Sequence, residues 1–269
     1  MRKRKVGVAL GAGSTKGFAH IGVLQALEEN HIPVDCITGS SIGAIVGGIY
    51  SVGSDMRMLA KLAVAINLRD YFDLRNPATG GLLRGDRMQE IIKLLTHGKT
   101  FDQTKIPFAC VAVDIGSGEL ACLQSGFLHE SIRASMSIPG IFTPMRLSGR
   151  AFVDGGVIER VPCRAAKDLG ADVIIGVDVG YRGGFDSETV GINAYSQFNR
   201  CVDIMQWEIT KLRMGLADIT LAPNVRALTR GHFDTSEAEQ CIEQGRRAVV
   251  EALPEIRKIL KKNRIAFTE

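Results

Sequence analysis

The stretch Val34-Asp35-Cys36-Ile37-Thr38-Gly39-Ser40-Ser41-Ile42-Gly43-Ala44-Ile45-Val46-Gly47-Gly48 decides the fold. An apolar run over residues 34–38 reads as a strand. It meets a serine flanked by glycines and continues into small residues that suit a helix. A strand that turns sharply into a helix, with a serine at the corner, is the setting of a nucleophile elbow. The corner lifts Ser41 to where a substrate can reach it. Gly39 and Gly43 flank it because a side chain at either position would meet the neighbouring strand and helix.

Upstream, residues 6–10 form a second apolar strand, followed by Gly11-Ala12-Gly13-Ser14-Thr15-Lys16-Gly17 and a helix from Phe18 to Glu29. Small residues leave backbone N–H groups pointing outward, and the helix start adds positive potential. The loop therefore suits a phosphate or a transient oxyanion. A Walker loop needs lysine after its second glycine, and a dinucleotide fingerprint needs glycine where Lys16 stands, so both phosphate readings fit badly. An oxyanion hole fits the nearby serine. Loop and elbow follow consecutive strands of one βαβ unit, which places both at the carboxyl edge of a sheet.

Downstream, Phe152-Val153 leads into Asp154-Gly155-Gly156, an aspartate at a strand end beside two glycines. A serine hydroxyl needs a base to become a nucleophile. None of His20, His31, His97, His129 and His232 stands in a context that marks it as that base. Direct proton transfer to Asp154, a Ser–Asp dyad, is the economical arrangement.

Strand and helix patterns alternate along the rest of the chain, which favours a mostly parallel sheet covered on both faces. Helices are expected over residues 55–66, from a cap at Asp86 to Leu95, and over residues 127–137 and 162–169. Strands are expected over 108–114, 119–123 and 172–179. Residues 67–84 read as a loop over the site, and residues 180–191 as a flexible loop. A long amphipathic helix over 194–217, read as a packing element, precedes a short strand at 219–222 and one or two terminal helices. No internal repeat or linker appears. The reading is one domain spanning 1–269, with its core at about 5–250 and a basic helical tail at about 251–269.

Composition narrows the function classes. The chain is 45% hydrophobic and 23% charged, an ordinary globular balance. Aromatics at 6% and a net charge of +4 argue against a nucleic-acid surface. Basic residues gather at both ends, Arg2 to Lys5 and Arg257 to Arg264. Solvated termini are the plain reading, and peripheral contact with an anionic membrane is the sharper one. Six scattered cysteines without zinc-ligand spacing fit a reducing cytoplasm. No run is long enough for a membrane span, and the apolar start is too short for a secretory signal. Neither a metal site nor a cofactor is implied.

In this order these segments resemble the patatin-like phospholipase family, over roughly residues 5–248. The resemblance includes Gly17-Phe18-Ala19-His20-Ile21-Gly22-Val23-Leu24, the elbow, Ala134-Ser135-Met136-Ser137-Ile138-Pro139-Gly140-Ile141-Phe142, and Val153-Asp154-Gly155-Gly156. It implies a three-layer α/β/α fold with a mostly parallel central sheet, and hydrolysis of acyl esters of glycerolipids through an acyl-enzyme. It assigns Ser41 as nucleophile, Asp154 as base, and Gly13, Ser14 and Lys16 to the oxyanion loop. Ala12 and Ser14 stand where glycines are common, Lys16 replaces an arginine, and Glu159-Arg160 replaces Asn-Pro. Two other classes remain beside this one: a lipid- or acyl-binding protein without turnover, and an α/β-hydrolase with a Ser–His–Asp triad that uses His232.

Overall fold

The computed structural model describes residues 2–71, 73, 81–183, 194–226, 228 and 237–267. In chain order the elements are β1 (Val6–Leu10), α1 (Ala19–Glu29), β2 (Cys36–Ser40), α2 (Ile42–Ser51), α3 (Met56–Ala65), β3 (Gly81–Leu83), α4 (Asp86–Leu95), β4 (Phe108–Asp114) and β5 (Leu120–Leu123). Then follow α5 (Leu128–Ser135), β6 (Gly140–Phe142), β7 (Met145–Leu147), β8 (Arg150–Asp154), α6 (Cys163–Asp168), β9 (Val173–Val177), α7 (Ala194–Arg213), β10 (Ile219–Leu221) and α8 (Ala238–Lys262).

Among the described residues the main sheet has eight strands, in the order β10-β9-β1-β2-β4-β8-β7 with β5 beside β4. β10, β9, β1, β2 and β4 run parallel. β5 and β8 run antiparallel to β4, and β7 antiparallel to β8. β1, β2, β4 and β9 are buried along their whole length, the mark of strands covered on both faces. On β2, Thr38 Oγ1 donates to the carbonyl of Pro162 at 2.9 Å, just before α6, while Ile37 packs beneath Gly47 of α2. Successive side chains of a strand point to opposite faces. Helices therefore flank the sheet on both sides, as expected from the alternating pattern.

Element boundaries lie within four residues of the sequence expectation, and three differences have identifiable causes. Asp86 begins α4 without capping it. The cap is Asp73, which accepts from the N–H groups of Gly85 at 2.7 Å and Asp86 at 2.7 Å, so a loop residue twelve positions upstream holds the helix start. Residues 67–84 carry a 3-10 turn at Leu68–Tyr71 and the strand β3, which pairs in parallel with β6; residues 72 and 74–80 lie outside the described set. The C-terminal region is one helix, α8, that runs through Pro254. Residues 184–191 of the second expected loop also lie outside the described residues.

α8 crosses α1 at very short range. A Cβ on Gly245 would stand 1.9 Å from the carbonyl oxygen of Ala19, and one on Gly22 would stand 1.8 Å from that of Ile242. The two glycines let the backbones touch, and Arg246 then pairs with Glu29 at 2.6 Å on the rim. Gly245→Ala gains roughly 1 kcal/mol of helix propensity but forces the helices apart. It is expected to lower stability by roughly 1–3 kcal/mol, the usual cost of overpacking. Urea unfolding monitored by circular dichroism checks this, and an unchanged or raised midpoint would refute the crossing as a tight contact.

Candidate active site

β4 builds the site by sharing one of its edges. β2 pairs with it up to Ser40 opposite Val111, and β5 occupies the other edge. At the next residue, Ala112, β8 takes over the edge vacated by β2, with Asp154 as partner. β2 and β8 thus arrive head-on along one edge, and their carboxyl ends, Ser41 and Asp154, meet there. The Ser41 side chain lies close enough to the Asp154 carboxylate to favour its charged form. Both residues are buried.

The elbow itself is strained. Ser41 has φ 56° and ψ −123°, a conformation that L-residues rarely adopt and that costs roughly 1–3 kcal/mol. The surroundings hold it. The carbonyl of Ser41 accepts from Ala44 N–H at 2.9 Å, and its N–H donates to Ser135 Oγ at 3.0 Å. Ser135 Oγ in turn donates to the carbonyl of Val111 at 2.7 Å. One hydroxyl therefore ties the elbow to β4 at the residue where β2 ends. Sequence reasoning quoted Ser135 within a motif but gave it no role; a serine at a helix end has no local mark of such a bond.

Gly43 allows the elbow to press on the first loop, since a Cβ there would lie 2.2 Å from the carbonyl oxygen of Leu10. Gly39, two residues before Ser41, packs under Ala44 and has no room for a Cβ either. Gly13 precedes a 3-10 turn over Ser14–Phe18, in which Gly17 packs against Ile42, the residue after Ser41. The N–H groups of Gly11 and Ala12 are spent on the carbonyls of Val177 and Arg160, both at 2.9 Å. The Gly13 N–H has no acceptor among the described residues. Ser14 reaches φ 53°, the left-handed region where glycine is commoner, and lines a cavity together with Ser41. Lys16 sits in the same turn, half-buried. Burial pushes its ammonium below the usual lysine range, and Asp203 pulls it back up.

His20 was given no role from sequence. It is fully buried, with its ring bonded through Nε2 to the carbonyl of Gly11 at 2.7 Å, and its pKa is pushed down to about 4 by burial. The neutral ring therefore donates to the loop and anchors it from below. His232, the base of the triad alternative, lies outside the described residues. Among the described residues no group of three or more His, Cys, Asp or Glu could hold a metal ion.

Arg133, on α5, braces the aspartate side. It is buried, with Nη1 donating to Ser137 Oγ at 2.6 Å, Nη2 to Thr143 O at 3.0 Å and to the carbonyl of Arg84. The carbonyl of Ser137 accepts from the N–H of Asp154 at 2.9 Å. One guanidinium thus joins α5, the segment before α4 and the chain that pairs with the start of the Asp154 turn.

A cavity of about 110 Å³ lies against Ser41. Its walls are Ile42, Ile45 and Ile49 of α2, Leu59 and Ala63 of α3, and Met88 and Ile92 of α4, with no charged side chain among them. Apart from Ser14, Thr15 and Ser41 its lining is apolar, and such a cavity accepts an alkyl chain.

Burial raises the Asp154 pKa to about 6, against the nearby Ser41 side chain and a hydrogen bond from Gly156 N–H at 2.7 Å, both of which favour the carboxylate. A carboxyl raised in the folded state favours folding in its neutral form. That contribution is complete below about pH 4 and is lost as pH rises through about 6. Two pKa units correspond to on the order of 3 kcal/mol. Asp154→Asn removes this titration while keeping an oxygen for Gly156. The stability difference between variant and parent is expected to grow in the variant's favour between about pH 4 and 7. His20 titrates in both proteins and cancels. Equal pH dependence in parallel denaturation curves would show that the carboxyl is not desolvated.

Comparison with known proteins gives a family from sequence and a shared fold from shape. A family model described as patatin-like phospholipase matches residues 8–167. A protein of Mycobacterium tuberculosis described as an uncharacterized NTE family protein is 34% identical over 177 residues, covering 65% of this chain and 49% of that one. The lysophospholipase nte1 of Neurospora crassa is 35% identical over 184 residues, covering 66% of this chain and 12% of its own length. The chain therefore spans about half of the mycobacterial relative and a small part of the fungal one. VipD of Legionella pneumophila shares the fold at a TM-score of 0.64 and 13% identity, over 95% of this chain and 67% of its own. With a family model that covers more than half of its length, the chain belongs to the patatin-like phospholipase family.

Proposed function

We propose that this protein hydrolyses acyl esters of glycerolipids, with Ser41 as nucleophile and Asp154 as general base. The observation that carries this reading is Ser41, held in a strained elbow, set against a buried carboxyl whose charged form it favours and beside an apolar cavity. Membership of a phospholipase family, and likeness to proteins named lysophospholipases, support a lipid ester as substrate.

The proton of the Ser41 hydroxyl passes to Asp154 as Oγ attacks the ester carbonyl carbon. The carbonyl oxygen becomes an anion and is stabilised by N–H groups of the first loop, with Gly13 and Ser14 nearest in role. Losing one such donor typically costs roughly 3–4 kcal/mol of barrier. Lys16 adds positive potential from the same turn, as a point charge without the planar fork of an arginine. Collapse of the intermediate expels the lipid alcohol, which takes the proton from Asp154. Water then attacks the acyl-enzyme and gives its proton to Asp154; on collapse Asp154 returns that proton to Ser41 Oγ as the fatty acid is released, which restores the carboxylate and the free serine.

The base works only when ionised, so acylation should rise with pH to a plateau above about 6. No cofactor takes part in this scheme. It assumes a reducing cytoplasm, in which buried Cys36, Cys110, Cys163 and Cys241 act as small apolar fillers. No described helix is long and apolar enough to cross a membrane.

Labelling with a fluorophosphonate, read by intact mass, tests the proposal. The parent protein should gain one adduct, with a rate that follows the ionisation of Asp154. Ser41→Ala should gain none, Asp154→Asn should react at least about a hundredfold more slowly, and Ser135→Ala roughly tenfold more slowly through a misplaced elbow. A folded parent without an adduct would favour an acyl-binding protein without turnover.

A further inference from the structure

Helix α7 is amphipathic in the reverse sense. Its protein-facing side is polar and aromatic. Thr210 is buried there, with Oγ1 donating to the carbonyl of Gln206 at 2.6 Å. Trp207 lies under the guanidinium groups of Arg160 and Arg182, at 5.5 and 5.8 Å from its ring centre. Gln206 Nε2 comes close enough to Gly156 to stand 3.6 Å from a Cβ placed on it. Asp203 and Arg200 act electrostatically on Lys16 of the first loop.

The opposite side is apolar and in water. Phe198 is 58% exposed, Met205 56% and Leu212 87%. They recur every seven residues and so fall on one line, with Ile204 and Cys201 exposed alongside. A surface helix normally buries its apolar stripe. A contiguous apolar patch left outside marks an interaction surface. The single acid on this stripe, Glu208, is paired with Lys211 at 2.7 Å.

The borders of the stripe are cationic. Lys211 and Arg213 lie on the helix itself and outnumber the Glu208 carboxylate that pairs with Lys211, and Arg226 is anchored nearby through a hydrogen bond from Nη1 to the carbonyl of Gly183 at 2.9 Å. We propose that α7 is the surface through which this protein docks on an anionic lipid bilayer. Phe198, Met205 and Leu212 enter the boundary between headgroups and acyl chains, while the basic border lies at the level of the phosphates. Charge complementarity selects this occupant. A second copy of the chain would set two cationic borders against each other, whereas anionic lipid neutralises them.

The placement also follows from the inner side of the helix. Because α7 touches the Asp154 turn and faces Lys16, docking through it brings the site to the lipid surface. The basic N-terminus is elsewhere. Arg2 pairs with Asp172 and Lys3 with Asp35, just before β9 and β2, and Arg4 donates to Asn263 at the end of α8. These groups lie at the amino edge of the sheet, opposite the site.

Co-sedimentation with vesicles tests the proposal, using Ser41→Ala protein so that turnover does not enter. Phosphatidylcholine vesicles are compared with vesicles containing equal parts of phosphatidylcholine and phosphatidylglycerol. The protein should pellet with the anionic vesicles. The double change Met205→Asp with Leu212→Asp, at exposed positions and with an unaltered thermal melt, should weaken binding roughly tenfold or more. Lys211→Gln with Arg213→Gln should weaken it by a similar factor on anionic vesicles alone. Failure of the parent to bind anionic vesicles, or binding that survives the aspartates, would overturn the proposal. So would light scattering that shows a dimer which the aspartates dissolve, since the stripe would then face a second copy. None of these outcomes bears on whether Ser41 reacts with a phosphonate.

Discussion

Two strands of opposite direction share one edge of β4, and the site depends on that arrangement. β2 and β8 cannot both pair with the same residues on that edge, so each must stop where the other begins. At the junction the chain must leave the sheet twice, once at Ser41 and once at Asp154. Both departures are sharp turns with buried polar backbone groups, and such groups must find partners. Ser135 supplies one set and Ser137 the other. The last residue of α5 serves one broken ladder, and Ser137, two residues beyond the helix, serves the other.

The same junction explains the electrostatics. A carboxylate is placed where water is scarce and where only a hydroxyl and one backbone N–H stabilise its charge. Arg133 bonds the side chain of Ser137, the backbone partner of Asp154, and gives further hydrogen bonds to the carbonyls of Thr143 and Arg84. Burial lowers its own pKa to about 10, so it keeps its charge at neutral pH. Its hydrogen bonds leave the carboxyl of Asp154 with a raised pKa in place of a tightly paired, strongly acidic one. Another buried pair, Arg160 with Asp178 at 2.8 Å, stands behind the first loop and fixes the carbonyl that holds Ala12.

Much of this was legible in the sequence because it is local. The elbow, the small-residue loop and the aspartate before two glycines each carry their signal within a few residues. The alternating pattern gave the parallel sheet for the same reason. What stayed hidden depends on contacts between distant segments. Nothing near Ser135 marks its hydroxyl for Ser41 and Val111. Asp86 looks like a cap from its position, and only the fold reveals that Asp73 reaches the helix first. The amphipathic pattern of α7 was visible, but not which side faces the protein, since periodicity carries no sign of direction. Of the three-residue strands, β10 was expected from its apolar ends, while β3, β6 and β7 were not, because so short a run carries no period of its own.

The hand-over on β4 also bears on how such a chain can change in length. Asp154 is placed by its pairing with Ala112, counted from the β4 side, and not by the loop that brings β8 there. The tip of the β7–β8 hairpin, where Ser148 and Gly149 both have positive φ, points away from this register. Residues can be inserted at that tip without moving the carboxylate along the sheet. A single insertion between Phe152 and Asp154 would instead turn every following side chain to the other face. The freedom of this architecture to diverge is therefore lodged in the hairpin tip, while the count of residues along one strand edge is held fixed.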